Sequence, residues 1–296
     1  MNSALLRSPF SSARPAALVL VALSALTITA CDEALDAAID AVATDNEEAQ
    51  NAVDSMQQGS LEGALHAALM DPVTLGDDVA AMVTEAEAAL ADTFTPAGCV
   101  TSTVTGPSAS LVFQDCSGPY GLLDMSGAVN LAFSINAESQ VATSMSAVGL
   151  QVNGATIGLN LQGVTTDDGT SGARTYELIT GGAGATRDGV PVARAGNYTA
   201  VVEGECLVLN GAWSVTIQTD VRAATFTSFK RCASACPDSG SMVWAGAEAT
   251  SEDIAAAATG LALTFVNGSD TVAWVDRDAE SAAGAGTGVT RLSCGN

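Results

Sequence analysis

From Cys99 to the end of the chain the apolar residues keep a period of two. Val129, Leu131, Phe133 and Ile135 alternate with small or polar residues, and so do Ala155, Ile157, Leu159 and Leu161. Trp213, Val215 and Ile217 repeat the pattern, as do Leu261, Leu263 and Phe265. Successive side chains of a strand point to opposite faces, so this alternation means strands with one face buried and one wet. Turn signals separate the runs at Asn153-Gly154, Asp188-Gly189 and Asn267-Gly268. About a dozen strands fit, with a helix indicated only around 251–258. A parallel sheet needs crossover helices between its strands, and the sequence offers none. The expectation is a mainly β chain: a large antiparallel meander, folded as a sandwich or partly rolled towards a barrel. The Gly- and Ala-rich stretches 181–186 and 282–288 read as flexible loops. A membrane-spanning barrel needs aromatic girdles at both interfaces, and 3 Trp, 3 Tyr and 7 Phe are spread too thinly to make them.

Before Cys99 the period is helical. Leu35, Ile39 and Val42 are spaced i, i+4, i+7, and Ala49, Val53 and Met56 repeat the spacing. Thr44 followed by Glu47 reads as a capping box opening a second helix. Leu61, Ala64, Leu65, Ala68 and Leu69 form a further stripe, ended by Asp71-Pro72. Val79, Met82, Val83, Ala86 and Leu90 make the last one, closed by Pro96 and Gly98. Residues 32–97 hold 15 Asp and Glu and no Lys or Arg. This acidic segment of short helices reads as a spacer, a small helical subdomain, or a docking surface for a cationic partner, with its polar faces in water.

The first thirty residues have another character. Arg7 and Arg14 are the only charges in them, and 16–29 is a 14-residue apolar run, too short for a membrane span. The run ends in Ile28-Thr29-Ala30-Cys31. This stretch resembles the signal of bacterial lipoproteins, whose lipobox is an aliphatic residue, two small residues and a Cys. The resemblance covers residues 1–31 and implies cleavage before Cys31, with acyl chains on that Cys holding the protein to a membrane of the cell envelope. Several chains make a stable anchor where one is marginal. Asp32 after the Cys resembles an inner-membrane retention signal of enteric bacteria, which leaves outer membrane and periplasmic face of the inner membrane both open. The organisation expected is therefore a signal over 1–30, an acidic helical segment over 31–97 and a β domain over 98–296. The last resembles the bodies of secreted lipoproteins and implies no activity.

Charge removes other functions. The chain carries 10 Lys and Arg against 33 Asp and Glu, a net −23, so nothing basic is available to neutralise phosphates and no nucleic-acid partner is expected. Anionic headgroups would repel it, so membrane attachment rests on lipid alone.

Apart from Cys31 there are six cysteines, an even number that suggests three disulfides in an exported chain. Cys99 and Cys116 are equidistant from Pro107-Ser108, so a hairpin turning at Gly106-Pro107-Ser108 would set them opposite each other. Cys206 and Cys232 are symmetric about Thr219, given a bulge near Asn210-Gly211. That leaves Cys236 with Cys294. The Cys232/Cys236 spacing also suits zinc, but the sole His lies far off in the helical segment.

Catalytic constellations are scarce. A Ser-His-Asp or Cys-His arrangement would have to use His66, one position off the Leu61/Leu65/Leu69 stripe and read as a surface or half-buried residue. No phosphate loop, nucleophile elbow or HExxH is present, and no cofactor is expected. Paired acids remain: Glu203/Glu205, Asp276/Asp278 and Asp167-Asp168 could serve a carboxylate-based hydrolase of envelope glycans. Two clusters, Asp167-Asp168-Gly169 and Asp276, Asp278 and Glu280, could each offer oxygen ligands to calcium, though neither matches an EF-hand loop. Trp213, Trp244 and Trp274 could form a sugar platform, though Trp213 and Trp274 keep phase with apolar neighbours as core residues do. The leading expectation is a lipid-anchored envelope protein of structural or binding role, with the hydrolase as alternative.

Overall fold

A computed structural model describes residues 28–167, 173–232, 236–246, 260–266, 269–277 and 286–292, with side chains from Asp45 onward. Residues 1–27 of the signal segment, the Cys31 side chain, the 251–258 helix, the Asn267-Gly268 turn, residues 282–285 and Cys294 lie outside the described residues. The chain divides into two compact units after Ala41. The first holds the opening turns of helix α1 (Ile28–Met70), and the second, Val42–Asn296, holds everything else.

The second unit continues α1, adds α2 (Val79–Thr93), and then runs as strands. These are β1 (Val100–Thr105), β2 (Ser108–Gly118), β3 (Leu122–Ile135), β4 (Val141–Val152), β5 (Ala155–Asp167), β6 (Arg174–Ala185) and β7 (Pro191–Glu203). They continue with β8 (Cys206–Ile217), β9 (Asp220–Arg231), β10 (Pro237–Gly246), β11 (Leu261–Phe265), β12 (Thr271–Asp276) and β13 (Thr287–Arg291). Every strand pairs antiparallel with its chain neighbour, so strand order equals chain order. The sheet does not close, because β1 and β13 remain edges among the described residues. It is one continuous meander in a single sheet.

The sheet curls around α1. Every residue from Gln58 to Met70 is buried, on all sides of the helix. Ser60 meets Arg231 of β9, Glu62 meets Thr180 of β6 and Arg194 of β7, and His66 meets Thr143 of β4. An isolated helix of this sequence would bury little, and the wrapping sheet supplies the missing apolar contact. Two glycines let the wall close. A methyl on Gly59 would stand 2.7 Å from Trp213 Cη2, and one on Gly63 would stand 3.1 Å from the Tyr198 ring. Each Gly costs about 1 kcal/mol of helix propensity, and the packing of Trp213 and Tyr198 offsets it.

This corrects three expectations. The helix does not restart at Thr44 and Glu47 but runs unbroken to Met70, since a capping pair is only a weak local preference within a continuing helical pattern. The polar residues Ser55, Gln58, Ser60, Glu62 and His66 are not wetted but core, because the sheet covers every face of the helix. The stretch 181–185 is not a loop but the end of β6, and 287–288 begins β13. The glycines there serve close approach: a methyl on Gly182 would fall 1.9 Å from the Gly158 carbonyl oxygen of β5.

α2 starts at Asp78, whose carboxylate accepts from the amides of Ala80 and Ala81 at 3.1 Å each. Its expected stripe is the buried one, with Met82, Val83, Ala86 and Leu90 packed over β1–β3.

Candidate functional site

The disulfides pin two hairpins. In β8–β9 the turn is Gln218-Thr219, and Cys206 bonds Cys232 with Cα atoms 4.0 Å apart. The expected bulge is present opposite Asn210: two residues of β9, Thr227 and Ser228, face that single residue. Asn210 Oδ1 accepts from the Ser228 amide at 2.7 Å, holding the extra residue in place. Cys99 bonds Cys116 with Cα atoms 5.5 Å apart, but in a different register from that expected. Thr105 pairs with Ser108, so the turn is Gly106-Pro107 and Cys99 lies opposite Gln114, whose amide donates to the Cys99 carbonyl at 2.9 Å. The offset is taken up at Asp115, where φ is +51° and the strand breaks register. Cys236 is also disulfide-bonded. These bridges engage Cys232 and Cys236, which the zinc reading needed as thiolates.

The concave side of the sheet holds a polar seam. Glu62 takes Arg194 Nη2 on one oxygen at 2.5 Å and the Thr180 hydroxyl on the other, and both side chains of the ion pair are fully buried. Arg194 also donates to Gln58 Oε1, whose own amide donates to the carbonyls of Thr156 and Ala185 at 3.1 and 2.7 Å. Arg231 donates to the carbonyls of Tyr120 and Gly121 and to the Ser60 hydroxyl at 2.9, 3.3 and 3.1 Å. Burial lowers its pKa to about 10 against the pull of Asp238, so it stays charged at neutral pH. His66 Nε2 shares a 2.7 Å hydrogen bond with the Thr143 hydroxyl, and its ring meets Tyr176 edge-on at 5.1 Å. Burial pushes its pKa down to about 3, which keeps it neutral. Burial first, and then the Glu62 carboxylate, push the Tyr198 phenol up.

This seam locks helix to sheet. Both oxygens of Glu62 are engaged, and both face protein, which suits structure and not proton transfer to a substrate. Sequence reasoning missed Glu62, Arg194 and Arg231. A signal was there: Arg194 keeps phase with the inward residues Val192, Tyr198 and Ala200, and Arg231 with Phe229.

Of the three acid pairs, only Glu203/Glu205 is wholly described. Glu203 and Glu205 are exposed at the β7–β8 turn, and Glu203 lies 3.8 Å from Lys230. Asp168, Gly169, Asp278 and Glu280 lie outside the described residues, and among the described residues no three His, Cys, Asp or Glu side chains group as metal ligands. The three tryptophans are core, with 3, 1 and 1% exposure at Trp213, Trp244 and Trp274.

The outer face of the sheet is open to solvent. One row of paired residues crosses all thirteen strands from Thr105↔Ser108 to Val275↔Thr287. It contains no charged side chain. Its first half is polar, with Ser144, Gln162 and Asn197 exposed around Ile179, and its second half is small and apolar, with Ala212, Val243, Ala262 and Val275. The next row runs Thr103, Ser110, Asn130, Ser146, Asn160 and is also uncharged. On the other side Ala142, Val164, Glu177 and Thr199 follow, with a single carboxylate. Two adjoining grooves lie on this face and meet at Ser144.

No protein-family model, no curated protein and no solved structure matches the chain.

Proposed function

We propose that the chain is a lipid-anchored protein of the bacterial cell envelope that acts by binding or as a structural element, and not by catalysis. One observation carries the second half of this reading: α1 fills the hollow of the curled sheet, where a barrel-like fold would otherwise place a ligand or substrate cavity. The fully buried Glu62 carboxylate is tied into that packing. The outer face and its grooves offer surface for contact. The anchor half rests on the charged start, the short apolar run and Ile28-Thr29-Ala30-Cys31, and two hairpin disulfides suit an oxidising compartment. Among the described residues no helix is long and apolar enough to cross a membrane.

The test is fractionation with mass measurement. The native protein should sediment with membranes and carry acyl mass on Cys31, and Cys31→Ser should move it to the soluble fraction. A native protein that is soluble and unacylated refutes the anchor.

A further inference from the structure

We infer that the outer face of the sheet is a binding surface for an uncharged polysaccharide, seated across the row through Ser144, Gln162, Ile179 and Asn197. The inference rests on the binding role proposed above and names its ligand class.

Charge selects the ligand. The chain carries a net −23, so an anionic polymer is repelled from the molecule as a whole. A cationic partner is drawn to the acids, and this face has almost none: the row crossing all thirteen strands is free of charge, and Glu177 stands alone beside it. A partner that prefers this face over every other must therefore be neutral. It must also be polar, because the face offers amides and hydroxyls in quantity. The side chains of Asn130, Ser144, Asn160, Gln162 and Asn197 make no hydrogen bond to any described residue, although each is exposed. Each amide carries both donor and acceptor, the combination that a sugar hydroxyl can satisfy from either side.

The geometry is that of a polymer site. Paired strands lie about 4.8 Å apart, so the row through Ser144, Gln162, Ile179 and Asn197 sets three polar side chains and one apolar one on four neighbouring strands. The grooves meeting at Ser144 give that row a floor across β1–β8. Ile179, 61% exposed in the middle of the row, supplies an apolar contact for a sugar face. The tryptophans are buried, so ring stacking takes no part and the contact is made by many weak hydrogen bonds. Such a face favours a long chain over a single sugar.

The experiment uses full-length protein extracted from membranes in detergent. It is passed over immobilised dextran, mannan, chitin and β-1,3-glucan, with heparin and polygalacturonate as anionic counterparts. The expected result is retention on at least one of the four neutral polymers, unchanged by added salt, with none on the two anionic ones. Retention on that polymer should fall at least tenfold in the triple variant Gln162→Ala, Ile179→Ala, Asn197→Ala, while its thermal midpoint stays that of the parent, since all three side chains are exposed. Retention on none of the neutral polymers overturns the inference, as does equal retention of parent and triple variant, or retention only on anionic polymers. Failure of the anchor would appear separately, as an unacylated soluble native protein that still binds glycan; failure of this inference would appear as an acylated, membrane-bound protein that binds no neutral polymer.

Discussion

Lowering the pH from 7 to 5 should destabilise this protein through one residue. His66 is the sole histidine and is completely buried, and burial lowers its pKa from 6.5 to about 3. Above the unfolded value both states hold the ring neutral, and its contribution to stability is fully present. As the pH falls below 6.5, the unfolded chain takes up a proton that the folded one refuses, and stability is lost progressively until about pH 3. Between pH 7 and pH 5 the loss is about 2 kcal/mol, and over the whole window about 5 kcal/mol. In a domain of this size 1 kcal/mol moves the thermal midpoint by roughly 2–4 °C, so the two-unit step should cost roughly 4–8 °C through His66. Acid titration also relieves repulsion among the many carboxylates, which raises stability in the opposite direction. The comparison that isolates His66 is therefore the native protein against His66→Gln, which keeps a polar partner for Thr143 but does not titrate. The native profile should fall relative to that of the variant as the pH drops from 7 to 5. The reasoning is refuted by parallel profiles. It is equally refuted if the imidazole resonances of the folded native protein titrate with a midpoint near 6.5, a measurement that needs no variant.

Further outcomes follow from the same packing. Arg194→Met leaves the Glu62 carboxylate buried without its cation and should cost about 3–5 kcal/mol, whereas Glu62→Leu with Arg194→Met should cost much less than the sum of the single changes; urea denaturation of the three proteins checks both. Replacing Cys206 and Cys232 together by Ala should lower stability by about 2–4 kcal/mol under oxidising conditions, with no further loss on adding reductant beyond that due to the remaining bridges. Gly182→Ala should destabilise by about 1–3 kcal/mol, because the new methyl meets the Gly158 carbonyl. Gly181→Ala, next to it with open space, should be nearly neutral in the same thermal assay.

The strands were legible because their alternation is local: each run shows its own buried face whatever its neighbours do. Cys206–Cys232 was legible for the same reason, since a hairpin's register follows from its turn and one bulge. Cys99–Cys116 was legible as a pair but not in register, because a departure at Asp115 cannot be read from spacing alone. The placement of α1 was hidden. A helix with Gln58, Glu62 and His66 among its leucines reads as amphipathic, and only the curl of a distant sheet turns its polar side into core. The same holds for 181–185, where runs of Gly and Ala signal a loop by composition but mark a close crossing of two backbones. The outer face was the least visible feature. Its lack of charge appears only when one residue from each strand is laid beside the next, and that alignment belongs to the registers.

Strand order that repeats chain order has a consequence for how the molecule is made. Each β-strand finds its partner in the segment just before it, so the sheet is built from pairings between chain neighbours, and from β1 to β10 the connections are short. The helix precedes all thirteen strands in the chain and can serve as the mandrel on which they are wound. A chain interrupted partway would hold a narrower sheet and a helix bare along one flank, a form that proteases should distinguish readily from the finished wrap.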